Sequence, residues 1–247
     1  ESDLGSGTYY FYYNTKIDKT NNNNYLFVCL FVTDILDNGT YVLYSDRAKE
    51  ILESAFGIKD IKQKTVRGVG EPEARFSEDA LRIIRALRFS AVLGFDIEEK
   101  TSNAIRSLKH LLRNIAVERV FIELKKLLMG KNALSVLMQY SDVICEIIPE
   151  LSDAIGFDQK NPYHIYNVYE HIVRSVAACP NDVDIRLCML LHDIGKPKTF
   201  FTDEKGIGHF YGHPKVSRDM AEKILKRLKA DNKTVEHVCF LVENHDV

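Results

Sequence analysis

The sequence predicts a mainly α chain: a helical array through its middle, a second helical region toward the C-terminal side, and a small irregular or β-hairpin stretch in front of both. Three observations carry this. Apolar residues recur at helical spacing from Ser77 onward, and Pro149 and Pro162 interrupt that pattern. The stretch up to about Ala55 has a different texture, rich in Tyr, Phe, Asn and Thr, with an asparagine run at 21–24.

Taken in order, Tyr25–Val32 is a β-favouring run, and Asp37-Asn38-Gly39 supplies turn chemistry before a second such run at Tyr41–Tyr44, which together read as a hairpin. From Ser77 the residues Leu81, Ile84, Leu87 and Ala91 recur three and four apart. Ser77 with Glu78 and Asp79 fits an N-terminal cap with acids in the first turn, and Gly94 offers a stop. Amphipathic segments follow at about Glu98–Leu112, Ala116–Leu128 and Asn132–Tyr140. After the breaks, helices resume at about Tyr166–Ala178, Val183–Leu191, Pro214–Lys229 and Lys233–Glu243. This gives three parts: residues 1–56, 57–152 and 153–247.

Length and composition bound what such a chain can be. Its 247 residues can bury a real core, and a formal net charge of -2 gives no global case for a nucleic-acid partner, so any such case must be local. Five cysteines, none closely spaced, fit reduced thiols in a cytoplasmic protein rather than a disulfide or zinc framework. The longest uncharged apolar run, Tyr25–Val32, is too short to span a bilayer, so no membrane partner is expected. The chain opens on Glu1 rather than Met, which suggests a piece of a longer protein.

The sharpest chemical signal is His171, then the adjacent pair His192-Asp193, then Asp246, with His209, His213 and His245 close by in sequence. Imidazole and carboxylate suit a divalent metal that activates water. The His192-Asp193 pair closes the apolar run Leu187–Leu191 and is followed by Gly195, Lys196 and Pro197. A dry helix ending in two candidate ligands makes an apolar wall with a wet edge.

That order resembles the HD phosphohydrolase superfamily, helical domains that hold one or two divalent metals and hydrolyse phosphoesters. The resemblance implies His171, His192, Asp193 and Asp246 as ligands of magnesium or a transition metal, with His209 and His213 as the positions that could complete a second site. Lys196 is either a solvated helix-end lysine or a group facing a substrate phosphate.

The second signal is Arg75–Phe89, in which Asp79 and Arg82 stand three apart. On one helical face they would place a carboxylate acceptor beside a guanidinium donor, a pair able to meet the Watson-Crick edge of a base or simply to bridge each other. From Ile58-Lys-Asp-Ile61 through Val66–Pro72 to Phe89, the chain looks like the bacterial CCA-adding and poly(A) polymerase family, whose Glu-Asp-x-x-Arg motif falls on Glu78, Asp79 and Arg82. The likeness continues through Ala116–Arg119, Leu127–Lys131, Ile147–Leu151, Asn161–His164 and Gly208–Pro214, about three quarters of the chain. It implies a protein template for CTP and ATP at Glu78, Asp79, Arg82 and Arg85, tRNA as partner, and addition of CCA to tRNA 3′ ends. An HD domain at the C-terminal side is common in that family.

Departures matter as well. The family transfers nucleotides in a palm with a Gly-Gly motif, paired Asp residues and an Arg-Arg-Asp segment, none of which this chain spells; Asp34 and Asp37 are not in an Asp-x-Asp arrangement. The residues catalysing nucleotidyl transfer are therefore unassigned, and transfer by this chain alone is not expected.

Local charge offers what the global balance does not. Between Arg82 and Lys131, eleven basic residues face five acidic ones, which suits contact with an RNA backbone, through Arg88, Arg113, Arg119, Lys125 and Lys126 among others, or equally a solvated helix face. The expected function is that of a tRNA nucleotidyltransferase family member or fragment with an HD metal domain. A stand-alone HD phosphohydrolase acting on phosphoesters and a non-catalytic RNA-binding fragment are the alternatives.

Overall fold

A computed structural model describes residues 57–246. The hairpin expected at Tyr25–Tyr44, and the rest of residues 1–56, lie outside the described residues. The chain divides into two compact units, 1–65 and 66–247. In the first, helix α1 (Gly57–Lys62) ends in a turn closed by the Lys64 N–H on the Ile61 carbonyl at 3.0 Å, and the strand β1 (Thr65–Val66) follows.

The second unit is helical nearly throughout. Helix α2 (Pro72–Glu78) opens with proline in its first turn, where a missing N–H costs nothing. Helix α3 (Leu81–Leu93) buries Leu81, Ile83, Ile84, Leu87 and Ala91 and stops at Gly94, whose φ of 71° is left-handed, as the sequence predicts. Strand β2 (Asp96–Ile97) leads into α4 (Glu99–Leu108), capped by the Glu98 carboxylate on the Thr101 N–H at 3.0 Å. A 3₁₀ turn (Lys109–Asn114) precedes α5 (Val117–Leu128), which packs on α3.

Two short helices follow, α6 (Ala133–Gln139) and α7 (Ser141–Ile147), then a 3₁₀ turn at Pro149–Ala154. Helix α7 lies where the sequence pattern gives no helix. Helices α8 (Val168–Ala178) and α9 (Val183–Leu191) begin at Asn167 and Asp182, whose side chains accept from the Glu170 N–H and from the Asp184 and Ile185 N–H groups. The short α10 (Lys196–Thr199), a hairpin of β3 (Phe201–Thr202) and β4 (Gly208–His209), α11 (His213–Arg227) and α12 (Asn232–Glu243) complete the chain.

One hydrophobic core runs from Phe76 to Val242. Polar links cross it. The Tyr169 hydroxyl donates to the Leu137 carbonyl at 2.8 Å. At the surface, Arg227 makes a two-pronged bridge to Glu150. Buried Arg186 on α9 donates Nη1 to the carbonyls of Leu128 and Gly130, just past α5, so backbone carbonyls freed where that helix ends gain a charged donor.

The cap expected at Ser77 is corrected. Ser77 sits inside α2, its hydroxyl donating to the Glu73 carbonyl at 2.8 Å. The chain breaks at Asp79, which is extended at φ -149° and ψ 99°, and its carboxylate accepts from the Leu81 N–H at 3.1 Å. Such a local side-chain bond to a backbone N–H two residues on competes with a continuous helix. Asp79 and Arg82 therefore do not share a helical face.

Candidate metal centre

Helix α9 is apolar and buried along Leu187–Leu191, so its end delivers His192 and Asp193 into the interior, both under 5% exposed. Three other elements bring imidazoles to them: His171 from α8, His213 from the first residue of α11, and His245 from the segment after α12. The Asp193 carboxylate lies between two sets. Its Oδ2 is 3.3 Å from His171 Nε2 and 3.2 Å from His192 Nε2, and its Oδ1 is 3.1 Å from His213 Nε2 and 3.5 Å from His245 Nε2. The two groups His171–His192–Asp193 and Asp193–His213–His245 thus share one carboxylate.

Backbone carbonyls fix the tautomers. His192 Nδ1 sits 2.8 Å from the Met189 carbonyl, His213 Nδ1 2.9 Å from that of Phe210, and His245 Nδ1 2.7 Å from that of Val242. A carbonyl only accepts, so Nδ1 carries the hydrogen and each Nε2 presents a lone pair. Those lone pairs face the carboxylate and one another, with His171 and His192 Nε2 3.2 Å apart and His213 and His245 Nε2 3.3 Å apart. Acceptors gathered this closely repel unless a cation lies among them.

Neither Asp193 oxygen has a hydrogen-bond partner of good geometry among the described residues, although both are buried. A buried carboxylate without countercharge is costly; Lys196 Nζ stands 2.8 Å from Oδ2, while Oδ1 faces the imidazoles of His213 and His245. The residues present therefore fit a divalent metal, or a pair sharing Asp193.

Ionisation follows from the same geometry. Burial pushes the Asp193 pKa up; positive charge among His192, His213 and His245, as protons on Nε2 or as a cation in their place, outweighs it and holds the group well below the carboxylate range. Burial lowers His171 to about 4, so its imidazole is neutral near pH 7. For His245, burial lowers the pKa, and the Asp193 carboxylate and Val242 carbonyl more than reverse that.

Of the residues the sequence points to, His171, His192, Asp193 and His213 come together. Asp246 stands at the edge, 58% exposed, within 3.3 Å of the Nε2 atoms of His213 and His245. His209 does not join either group. It lies on β4, where its Nε2 pairs with Asp203 Oδ2 at 3.1 Å and its ring packs with Phe201 and Tyr211. The place expected for it is taken by His245, whose adjacency to Asp246 repeats the His192-Asp193 pairing and was the available signal. Lys196 is not solvated: it is 5% exposed, with Nζ 2.8 Å from Asp193 Oδ2 and donating to Gln159 Oε1 at 3.1 Å.

The second candidate site lies at the α2–α3 junction. Glu78 accepts from both Arg75 and Arg82 at 3.0 Å, and Arg82 also donates to the Arg75 carbonyl at 2.8 Å. Hydrogen bonds from Arg82 and Arg75 hold the Glu78 carboxyl below its ordinary range. Asp79 Oδ2 lies 3.9 Å from Arg119. The Arg85 Nε is buried without a hydrogen-bond partner among the described residues.

The basic stretch is less open than its count suggests. Arg88 is buried and paired with Glu123 at 2.8 Å, so its guanidinium offers little surface to an RNA backbone. Arg106 and Lys109 share Asp142, and Arg113 pairs with Glu146 at 2.7 Å; both acids lie on α7, beyond the stretch counted. Arg119 and Lys126 are exposed, and Lys125 is half-buried over the Phe121 ring.

Comparisons with known proteins match two parts of the chain. The family described as "Probable RNA and SrmB- binding site of polymerase A" matches residues 94–155, and the HD domain family matches residues 163–246. The CCA-adding enzyme of Ligilactobacillus salivarius is 46% identical over 100 residues, 40% of this chain and 25% of that protein. The A-adding tRNA nucleotidyltransferase of Deinococcus radiodurans is 32% identical over 212 residues, 81% of this chain and 48% of that protein. A crystal structure of the Bacillus stearothermophilus CCA-adding enzyme in complex with CTP aligns at 27% identity and a TM-score of 0.50, covering 78% of this chain and 41% of that one. The chain thus spans from a quarter to about half the length of these relatives. No described helix is long and apolar enough to cross a membrane.

Proposed function

We propose that this chain is a member, or a fragment of a member, of the family of tRNA nucleotidyltransferases that carry an HD domain, with a division of labour along it; the matches to the RNA-binding and HD families and to the relatives above support this reading. Residues 57–152 select the incoming CTP or ATP and hold tRNA, and residues 153–247 form a metal-dependent phosphohydrolase. The observation that carries the second half is the buried Asp193 carboxylate with imidazole lone pairs on both sides of it.

Four imidazoles to one buried carboxylate favour a transition metal over magnesium, which prefers oxygen ligands. When bound, the metal supplies Lewis acidity and a water acidic enough to yield hydroxide near neutral pH. The chain's own residues do the rest. Asp193 balances cationic charge. The carbonyls of Met189, Phe210 and Val242 keep the imidazoles pointing inward. Buried Lys196 places an ammonium beside the carboxylate, where it can orient an anionic phosphoester.

At the α2–α3 junction, Asp79 accepts from the amino group of cytosine or adenine, and Arg82 exchanges part of its bonding to Glu78 for a base edge, with Arg85 alongside. Arg119, Lys125 and Lys126 contact the tRNA backbone. We assign the transfer step itself to no residue of this chain.

The deciding experiment measures metal content, and hydrolysis of a 2′,3′-cyclic nucleotide, for wild type and Asp193→Ala. Stoichiometric divalent metal and hydrolysis, both lost in the variant, are expected. Metal retained by Asp193→Ala removes the assignment, and metal without hydrolysis reduces it to a structural site.

A further inference from the structure

Lys196 brings a buried ammonium to the Asp193 carboxylate, and a second side chain reaches that ammonium from outside both imidazole groups. Gln159 is 2% exposed, and both ends of its carboxamide are engaged. Nε2 donates to the Tyr166 carbonyl at 2.9 Å, and Oε1 accepts from Lys196 Nζ at 3.1 Å. A backbone carbonyl only accepts, so the amide nitrogen must face Tyr166 and the amide oxygen must face the ammonium. Lys196 Nζ thus stands between two oxygens, Gln159 Oε1 and Asp193 Oδ2, with the Phe210 ring centroid 5.2 Å away.

Gln159 is held in place by its own loop. The Val168 N–H donates to the Phe157 carbonyl at 3.0 Å and closes that loop, and Phe157 packs edge-on against Phe200, just past α10. The β3–β4 hairpin clamps the same segment. The Gly208 N–H donates to the Lys160 carbonyl at 2.7 Å, and Asn161 Nδ2 donates to the Gly208 carbonyl at 3.0 Å. A Cβ on Gly208 would collide with the Gln159 carbonyl oxygen, so the glycine lets loop and hairpin lie flush. None of these contacts involves a candidate metal ligand. Together they fix a neutral acceptor for Lys196.

The two acceptors respond differently to a cation. A divalent cation among the imidazoles draws on Asp193 and repels the ammonium beside it, whereas the Gln159 oxygen lies outside both ligand groups and keeps its lone pairs for Lys196. A buried ammonium left without an acceptor is costly. We infer that Gln159 is a positioning residue: it keeps the Lys196 ammonium in the wall of the cavity of about 430 Å³ that Lys196 lines with His213 and Asp246 when a metal claims Asp193. Metal and ammonium can then occupy the centre together. The inference rests on the metal reading above and concerns how the chain tolerates two cationic groups side by side.

Cobalt(II) titration of the full chain under chelator competition tests this without any hydrolysis. Gln159→Leu should weaken cobalt(II) binding about tenfold, the scale of one hydrogen bond to a charged group. Gln159→Glu, which offers the ammonium a full negative charge, should hold the metal at least as tightly as wild type. Both variants lose the bond to the Tyr166 carbonyl, so a merely structural role would weaken metal binding in both. In a Lys196→Met background, Gln159→Leu should change the affinity by less than about twofold, because the ammonium it serves is gone. Gln159→Met is the second apolar variant should the urea midpoint show that Gln159→Leu does not fold. Unchanged affinity in the apolar variant, weakening in Gln159→Leu and Gln159→Glu alike, or a loss that persists in Lys196→Met each overturns the proposal alone. A wild type that takes up no cobalt(II) overturns it together with the metal reading.

Discussion

Lys196 Nζ lies 2.8 Å from Oδ2 of Asp193, the residue one helical turn before it, and so occupies the oxygen that faces His171 and His192. An ammonium there neutralises the carboxylate and also repels any cation bound beside it. Like charges ~4 Å apart repel by about 4 kcal/mol at the dielectric typical of partly exposed sites. Lys196→Met should therefore bind divalent metal about tenfold more tightly or better, while hydrolysis falls. Chelator competition reads the affinity, and a weaker affinity would mean that Lys196 acts by orienting Asp193.

The bridge between Arg227 and Glu150 makes stability depend on pH. Burial raises the Glu150 pKa, but the Arg227 guanidinium outweighs it, so the folded value lies below the ordinary one. The unfolded chain then binds more protons in the window between the two values. The contribution is present above the unfolded value of about 4.3 and is lost as pH falls through the folded one. Both groups are partly exposed, so Arg227→Ala should cost about 0.5–1 kcal/mol at pH 7. Urea melts at pH 7 and pH 3 should show that gap closing in acid.

Gly130 marks the closest approach of α3 to the turn after α5. A Cβ there would stand 2.5 Å from the Ala91 carbonyl carbon, a backbone atom that cannot swing aside. The Asn132 N–H on the Ala91 carbonyl holds that contact closed. Gly130→Ala should destabilise the protein by about 1–3 kcal/mol, measurable as a lower denaturation midpoint. An unchanged midpoint would mean that the two helices separate freely.

For the basic stretch, pairing predicts which positions matter. Arg119 is exposed and only loosely opposed by Asp79 at 3.9 Å, whereas Arg106 is held by Asp142 and the Gln139 carbonyl. Arg119→Ala should weaken tRNA binding and lower the slope of log affinity against log salt by about one, while Arg106→Ala leaves the slope alone. Titration of labelled tRNA at several salt concentrations distinguishes the two.

Which elements were legible follows from how local their causes are. Helix α9 has the bounds its sequence predicts, because an Asp182 cap and an apolar run settle both ends within the segment itself. The α2–α3 break was hidden because Ser77-Glu78-Asp79 resembles a single cap. Whether Asp79 serves one helix or separates two depends on Pro72 starting a helix earlier. The charge stripe was overcounted because the acids that quench it, Asp142 and Glu146, are more than thirty residues away. In the metal centre, the His192-Asp193 pair was plain in sequence. The exchange of His209 for His245 was not, because a hairpin turned by Asp203 carries His209 away while the end of α12 returns His245.

Arg186 gives the molecule a mechanical property. From α9, which runs directly into His192 and Asp193, it reaches the carbonyls of Leu128 and Gly130 at the end of helix α5, across the single core that continues from Phe76 to Val242. The seam between the two matched families is thus a seam of ancestry rather than of folding. Calorimetry should record one endotherm for residues 66–247, and neither half should be exchangeable with that of a distant relative unless the other half travels with it.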